Sequence, residues 1–133
     1  MTAAQFSAQM NSAGECGGGC FSGSAMIRMS DGSSKEVKEI KKGDMIATPA
    51  GEAQVKCVLK FNSQNNQAKM CQIGGLQITP HHPIQVEGQW VYPSDVAETR
   101  MRSCDAVYNM VVDNGHIAIL NGVPAILLGH DYT

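Results

Sequence analysis

Closely spaced turn signals are the feature that most constrains how this chain can fold. Gly-containing dipeptides recur along it and separate short apolar segments: Asp31-Gly32, Gly74-Gly75, Glu87-Gly88, Asn114-Gly115 and Asn121-Gly122. Asn-Gly is a strong hairpin signal, because a tight two-residue turn needs positive φ at both central positions. No segment keeps a 3.6-residue apolar repeat long enough for a long helix. The pattern therefore predicts an all-β fold of many short strands.

The segments between these turns define the expected strands. They comprise residues 25–29, 45–48, 53–61, 70–73, 76–78, 84–86, 89–92, 106–112, 117–120 and 125–128. One short helix is expected over residues 94–101, with Ser94 as its cap. Asn114-Gly115 and Asn121-Gly122 are both expected to close hairpins.

Composition narrows the class of protein. With 133 residues, the chain has the length of one domain. A net charge of −2 without a basic cluster favours neither nucleic acid nor a membrane as partner. The first residues lack the charged and apolar regions of a signal peptide. We also expect the chain to be a monomer. Five cysteines form no disulfide framework, which predicts reduced thiols and a reducing intracellular compartment.

Two separated motifs carry the candidate chemistry. Cys20 follows three consecutive glycines, and about sixty positions later comes the run Thr79-Pro80-His81-His82-Pro83. A Cys and a His far apart in sequence can meet in a fold, where the His activates the thiol as a nucleophile. Glycine puts no side chain in the way of attack on its carbonyl. Three of the other cysteines, Cys57, Cys71 and Cys104, are expected to be small buried hydrophobes.

These motifs resemble the Hint superfamily, the self-processing domains of inteins, hedgehog proteins and bacterial intein-like proteins. The resemblance lies in Cys20-Phe-Ser-Gly, residues 40–44 (IKKGD), residues 79–83 (TPHHP), residues 107–112 (VYNMVV) and residues 129–131 (GHD). It implies a compact horseshoe of strands in which both ends of the domain meet at one site. Within the superfamily, the chain is similar to the kind attached to von Willebrand factor A domains. We expect a flexible leader over residues 1–19, the Hint domain over residues 20–131 and a flank over residues 132–133.

The resemblance also implies roles at the first junction. Cys20 would attack the carbonyl of Gly19, an N-to-S acyl shift that converts the amide to a thioester. His82 would protonate the departing amide nitrogen, a task that suits a side chain whose charge changes near neutral pH. Thr79 would hold the same amide through its hydroxyl, and His81 would face solvent. Water or a small thiol would resolve the thioester, and the substrate would be the flanking polypeptide itself. No cofactor or metal is implied.

The tail of the chain departs from the family pattern. His116 and His130 occupy positions where the family carries assisting histidines. Asn109, however, stands where inteins commonly carry an Asp, and an Asn is neither acid nor base near neutral pH. Asp131 stands where a cyclising Asn would be. The resemblance therefore implies N-terminal cleavage with weak or absent C-terminal cleavage and splicing.

Two other functions fit the same residues. Cys16 and Cys20 are spaced C-x₃-C, and the four histidines could complete a zinc site, although the second close ligand pair of structural zinc sites is missing. Alternatively, the chain is a catalytically degenerate Hint fold that serves as an interaction domain. Mass spectrometry would distinguish the three functions: self-cleavage gives a cleavage product, a zinc module retains a metal, and an inactive interaction domain shows neither.

Overall fold

The computed structural model describes residues 19–128. Within that range the chain forms thirteen strands, two short 3₁₀ turns and one short helix. The strands are β1 (Phe21–Ser22), β2 (Met26–Arg28), β3 (Ser34–Glu36), β4 (Met45–Thr48), β5 (Gly51–Asn62), β6 (Gln67–Ile73), β7 (Leu76–Ile78), β8 (Ile84–Val86), β9 (Gln89–Val91), β10 (Thr99–Ser103), β11 (Ala106–Val112), β12 (Ile117–Leu120) and β13 (Val123–Ile126). The helix, α1, spans Pro93–Val96, and the 3₁₀ turns span Val37–Glu39 and Gln64–Asn66. The all-β prediction is confirmed.

The strands assemble into two antiparallel sheets. One has seven strands in the order β10-β6-β7-β1-β11-β5-β4, and the other has six in the order β3-β2-β12-β13-β8-β9. The two-residue strand β1 lies between β7 and β11, where Phe21 is opposite both Ile78 and Tyr108. The start of the domain is therefore held in the middle of the larger sheet rather than at an edge.

The main apolar core joins the two sheets. Its fully buried members include Phe21, Ile27, Ile46, Leu76 and Met110. Aliphatic and Met side chains supply nearly all of this core, as the low aromatic content of 5% requires. Each such side chain stabilises the fold by about 1.5–3 kcal/mol when fully buried, so the core fixes the sheet that carries β1.

Tight turns formed where the local sequence alone determines them. Asn121 and Gly122 join β12 to β13 with φ of 52° and 82°, and Glu87 and Gly88 join β8 to β9 with φ of 52° and 80°. Positive φ at both central residues is what a two-residue hairpin turn of type I′ requires. The predicted hairpin at Asn121-Gly122 and the turn signal at Glu87-Gly88 are both confirmed.

The prediction of a hairpin at Asn114-Gly115 is wrong. Strand β11 belongs to the larger sheet and β12 to the smaller, so the dipeptide connects two sheets. The connection is anchored to β5, since the Asp113 carboxylate accepts a hydrogen bond from Gln54 N at 2.8 Å and the Asn114 amide donates to Glu52 O at 3.2 Å. These tertiary contacts override the local turn preference.

Several element boundaries also differ from prediction, most clearly at the helix and at the last strand. The helix ends at Val96, because the following residues pair with β6 as strand β10. Its N-cap is Tyr92 rather than Ser94, and the first helical residue is proline, whose missing N–H is not needed there. The last strand covers Val123–Ile126 rather than residues 125–128, since it pairs with β12 directly across the tight turn. No helix within residues 19–128 is long and apolar enough to span a membrane.

Candidate active site

The peptide bond between Gly19 and Cys20 lies at the entrance to β1 and is buried. Cys20 N donates a hydrogen bond to Thr79 Oγ1 at 2.9 Å, and Cys20 O accepts one from Thr79 N at 2.9 Å. Thr79 directly follows β7, which pairs with β1, so the ladder between these strands places its hydroxyl at the amide. The Thr79 hydroxyl therefore lies where the sequence predicted, on the amide nitrogen of the candidate scissile bond.

The sulfur of Cys20 lies in a small apolar cluster with Met70 and Val107. It is part of a disulfide bond, whereas Cys57, Cys71 and Cys104 are free thiols. The expectation that every cysteine is reduced is thus wrong for Cys20. An oxidised sulfur carries no nucleophilic thiolate, so a reductant has to act before Cys20 can attack a carbonyl.

The other cysteines only partly match the expected role of buried hydrophobes. Cys71 is buried, with its sulfur 3.3 Å from the Thr99 hydroxyl, and Cys104 is half-buried. Cys57 is exposed, which contradicts the expectation for that residue. It lies on β5 at a position whose side chain faces outward.

His82 is fully buried beside the same peptide bond. Its Nε2 is hydrogen-bonded to the carbonyl oxygen of Ile126, and its ring packs against Phe21 with the ring centroids 5.5 Å apart. A carbonyl oxygen only accepts, so the proton of the neutral ring is on Nε2. Nδ1 is thereby left with a lone pair, and it has no hydrogen-bond partner among the described residues.

Burial lowers the pKa of His82 from 6.5 to about 4, and the backbone contacts with Ile126 and Gly19 oppose this shift only in part. Removing a charge from water is costly, and the buried ring therefore stays neutral at physiological pH. The expectation that the charge of this side chain changes near neutral pH is wrong. A neutral ring with an unprotonated Nδ1 can accept a proton but has none to donate at that nitrogen.

Gly19 lies directly against the ring of His82. A Cβ built on Gly19 would be 2.6 Å from His82 Nδ1, 2.8 Å from Cγ and 3.0 Å from Cβ. Such distances are shorter than carbon and nitrogen atoms tolerate. The absence of a side chain at Gly19 is thus what lets the imidazole reach the peptide bond.

Asn109 contacts the opposite side of this bond from within β11. Its Nδ2 donates to the carbonyl oxygen of Gly19 at 2.8 Å, while its Oδ1 accepts from Met110 N at 2.8 Å and from Leu128 N at 3.1 Å. The side chain is buried, with 1% of its surface exposed. Although Asn109 is neither acid nor base, it places an N–H donor on the candidate scissile carbonyl.

The turn that carries His82 is fixed by backbone hydrogen bonds. His82 N donates to Thr79 O at 3.3 Å, Ser94 N to Pro80 O at 3.1 Å and Ile126 N to Pro83 O at 3.1 Å. His81 in the same turn is exposed and packs edge-on against the Tyr92 ring. The prediction that His81 faces solvent is confirmed.

The remaining predicted residues are His116 and two that lie outside the described range. His116 is half-buried in the connection before β12, and its carbonyl accepts a hydrogen bond from Leu127 N at 2.6 Å. His130 and Asp131 lie outside residues 19–128, as do residues 1–18 of the predicted leader and the flank 132–133.

Sequence reasoning missed three contributors to the site. Ile126 and Leu128 act through backbone groups, which carry no signal in a sequence. Phe21 covers the His82 ring, and its only signal was an apolar residue directly after the candidate nucleophile. Between residues 19 and 128, no three His, Cys, Asp or Glu side chains cluster as metal ligands would. Cys16 and His130 of the zinc hypothesis are outside that range.

Comparison with known proteins agrees with this arrangement of strands. The family model described as Vint, Hint-domain, matches residues 19–133. The structure is similar to the gp41-1 intein (TM-score 0.60, 16% identity, 82% of this chain and 98% of that one). It is also similar to a bacterial intein-like domain from Clostridium thermocellum, with a TM-score of 0.62 and 19% identity over 81% of this chain and 97% of that one. A third similar structure is a DnaB intein from Synechocystis sp. PCC 6803, with a TM-score of 0.63 and 14% identity over 82% of this chain and 98% of that one. No curated protein matches the chain.

Proposed function

The chain belongs to the Vint family of Hint domains, and on that premise we propose that it is an autocatalytic domain that cleaves its own polypeptide between Gly19 and Cys20. One observation carries this proposal. Three side chains distant in sequence from that single peptide bond, those of Thr79, His82 and Asn109, converge on it. An ordinary backbone amide in a β-sheet would instead be paired with other backbone groups.

The first step requires a free thiol at Cys20. Once the disulfide is reduced, His82 Nδ1 accepts the thiol proton, and the thiolate forms a bond to the carbonyl carbon of Gly19. The neutral state of His82 at physiological pH supports this role, since a ring already protonated could not accept.

The attack moves negative charge onto the carbonyl oxygen of Gly19. The Asn109 amide already donates to that oxygen at 2.8 Å in the ground state, and the bond strengthens as the oxygen becomes an anion. Asn109 is thus the proposed oxyanion donor. In comparable sites, one such donor contributes about 10²–10³-fold to the rate.

The tetrahedral intermediate then breaks at the bond between carbon and nitrogen. The nitrogen of Cys20 leaves as an amine, taking the proton that His82 Nδ1 received from sulfur, so the ring returns to its neutral state. Thr79 Oγ1 keeps this nitrogen in place through its hydrogen bond. The product is a thioester between Gly19 and the Cys20 sulfur, which water or a small thiol resolves.

A two-by-two experiment on the full chain tests the proposal. A phosphine reductant frees Cys20 without attacking a thioester, and hydroxylamine cleaves thioesters without reducing disulfides. We expect rapid release of residues 1–19 as a hydroxamate only when both are present, with slow hydrolysis under phosphine alone. The intact mass of both products is the readout.

Two variants serve as controls. Cys20→Ala should release nothing, and Cys57→Ala should cleave as the wild-type chain does, because Cys57 is an exposed thiol away from the site. If the reduced wild-type mass is unchanged after days with hydroxylamine at neutral pH, the proposal is wrong, and the chain is better described as a Hint fold without activity.

A further inference from the structure

We infer that this domain accepts only glycine as the residue on the acyl side of the bond it cleaves, because His82 occupies the space that any Cβ would need. The inference rests on the proposed function and adds a restriction on the substrate. A polypeptide ending in glycine is then the class of leaving segment that the site can process.

The contact itself is severe. To move from 2.6 Å to the 3.4 Å of ordinary contact, a Cβ on residue 19 and His82 Nδ1 must separate by about 0.8 Å. The φ of Gly19 is outside the left-handed region, so an L-residue could adopt this backbone. The requirement for glycine is therefore one of space alone.

Neither partner in this contact can easily give way. His82 is fully buried, held through Nε2 by Ile126 O and covered by Phe21. On the other side, Gly19 O is held by Asn109. The following amide nitrogen is also fixed, through its bond to the Thr79 hydroxyl.

A larger residue 19 has to displace either the ring or the scissile bond. Both displacements remove the alignment that the chemistry needs. A misplacement of about 1 Å can cost about 10²-fold in rate. The domain thus selects glycine through the position of its own proton-transfer group rather than through a separate pocket.

The first test measures cleavage of the full chain after phosphine reduction with hydroxylamine. We expect Gly19→Ala to slow release by about 10²-fold and Gly19→Val to slow it further. Gly23→Ala is the matched control, since its Cβ would be 2.7 Å from Tyr108 Cε1, a similar crowding that does not involve His82. After correction for the folded fraction, Gly23→Ala should cleave at the wild-type rate.

The second test needs no chemistry and separates this inference from the proposed function. In a Cys20→Ala background, Gly19→Ala should lower the denaturant midpoint of unfolding when His82 is present. The same substitution should have little effect in a His82→Ala background, where the ring is gone. Failure of wild-type cleavage would overturn the proposed function and leave this double-mutant cycle to decide the steric claim.

Two outcomes would overturn the inference. One is Gly19→Ala cleavage at the wild-type rate in a chain whose cleavage depends on Cys20. The other is a loss of stability on Gly19→Ala that is the same with and without the His82 ring.

Discussion

Acidification should destabilise the folded domain by forcing a proton onto His82. Burial lowers the pKa of this side chain from 6.5 to about 4. Between these values the unfolded chain binds the proton and the folded one does not, so the free energy of unfolding falls as the pH drops from about 6.5 toward 4. At ~1.4 kcal/mol per pKa unit, this side chain alone should cost about 3 kcal/mol of stability at pH 4 relative to pH 7.

The assay is equilibrium unfolding in urea, followed by circular dichroism, across pH 4 to 7.5. A Cys20→Ala chain is the reference because it neither cleaves nor forms the disulfide. His82→Gln should flatten the dependence of stability on pH, whatever its effect on absolute stability. His81→Gln is the matched control and should leave the slope unchanged, because His81 is exposed.

The carboxylates that the fold perturbs begin to lose their contribution only at the acidic end of this window, starting with Glu98, whose pKa the Arg100 side chain lowers from 4.5. Hydrogen bonds from Ser33 lower the pKa of Asp31 below 3.8, and the backbone of Lys41 does the same for Asp44. Their contribution to stability is therefore lost at more acidic pH. A slope that survives in His82→Gln, or disappears in His81→Gln, would refute the assignment of the acid sensitivity to His82.

Three further predictions concern cleavage. His82→Ala should slow N-terminal cleavage about 10²-fold or more, the scale of a lost proton-transfer group, whereas His81→Ala should change it little; equal effects in single-turnover assays would argue that the turn matters only for folding. Asn109→Ala should slow N-terminal cleavage about 10²-fold. Asn109→Asp should be slow as well, because an ionised carboxylate cannot donate to the scissile carbonyl; wild-type rates in either variant would exclude an oxyanion role. Asp131→Asn should permit C-terminal release from a C-terminally extended chain, and adding His130→Ala should abolish that release. Rapid C-terminal release by the unmodified chain would contradict the premise that a carboxylate cannot cyclise as an amide does.

Local signals account for the part of the fold that could be predicted. The turns at Glu87-Gly88 and Asn121-Gly122 depend on positive φ in two adjacent residues, which Asn-Gly reports at both positions and Glu-Gly only at its glycine. The dipeptide at Asn114-Gly115 carries the same signal but connects two sheets, since Asp113 and its neighbour bind β5. Whether such a dipeptide closes a hairpin or connects two sheets depends here on contacts between residues about sixty positions apart, which a local sequence pattern does not contain.

The candidate site divides in the same way. The motifs predicted that Thr79 and His82 lie beside the candidate scissile bond, because each is a recognisable residue type in a recognisable setting. They did not predict the donor role of Asn109, since the sequence showed only that it cannot transfer a proton. The proton acceptor state of His82 was also beyond the sequence, because it follows from burial and from the carbonyl of Ile126, neither of which has a residue signature.

The central position of β1 has a consequence for the timing of cleavage during synthesis. The contacts that hold the scissile bond span 59 residues to Thr79 and 90 residues to Asn109, and the contact that orients the imidazole reaches on to Ile126. Cys20 leaves the ribosome long before any of these partners, and such non-local contacts form late in folding. A nascent chain therefore carries an unactivated peptide bond until its last strand has been made and docked. Under the proposed function, a Cys20 thiol has no assembled site to act in until the domain is complete, so the junction is protected during synthesis by the order in which its partners are made.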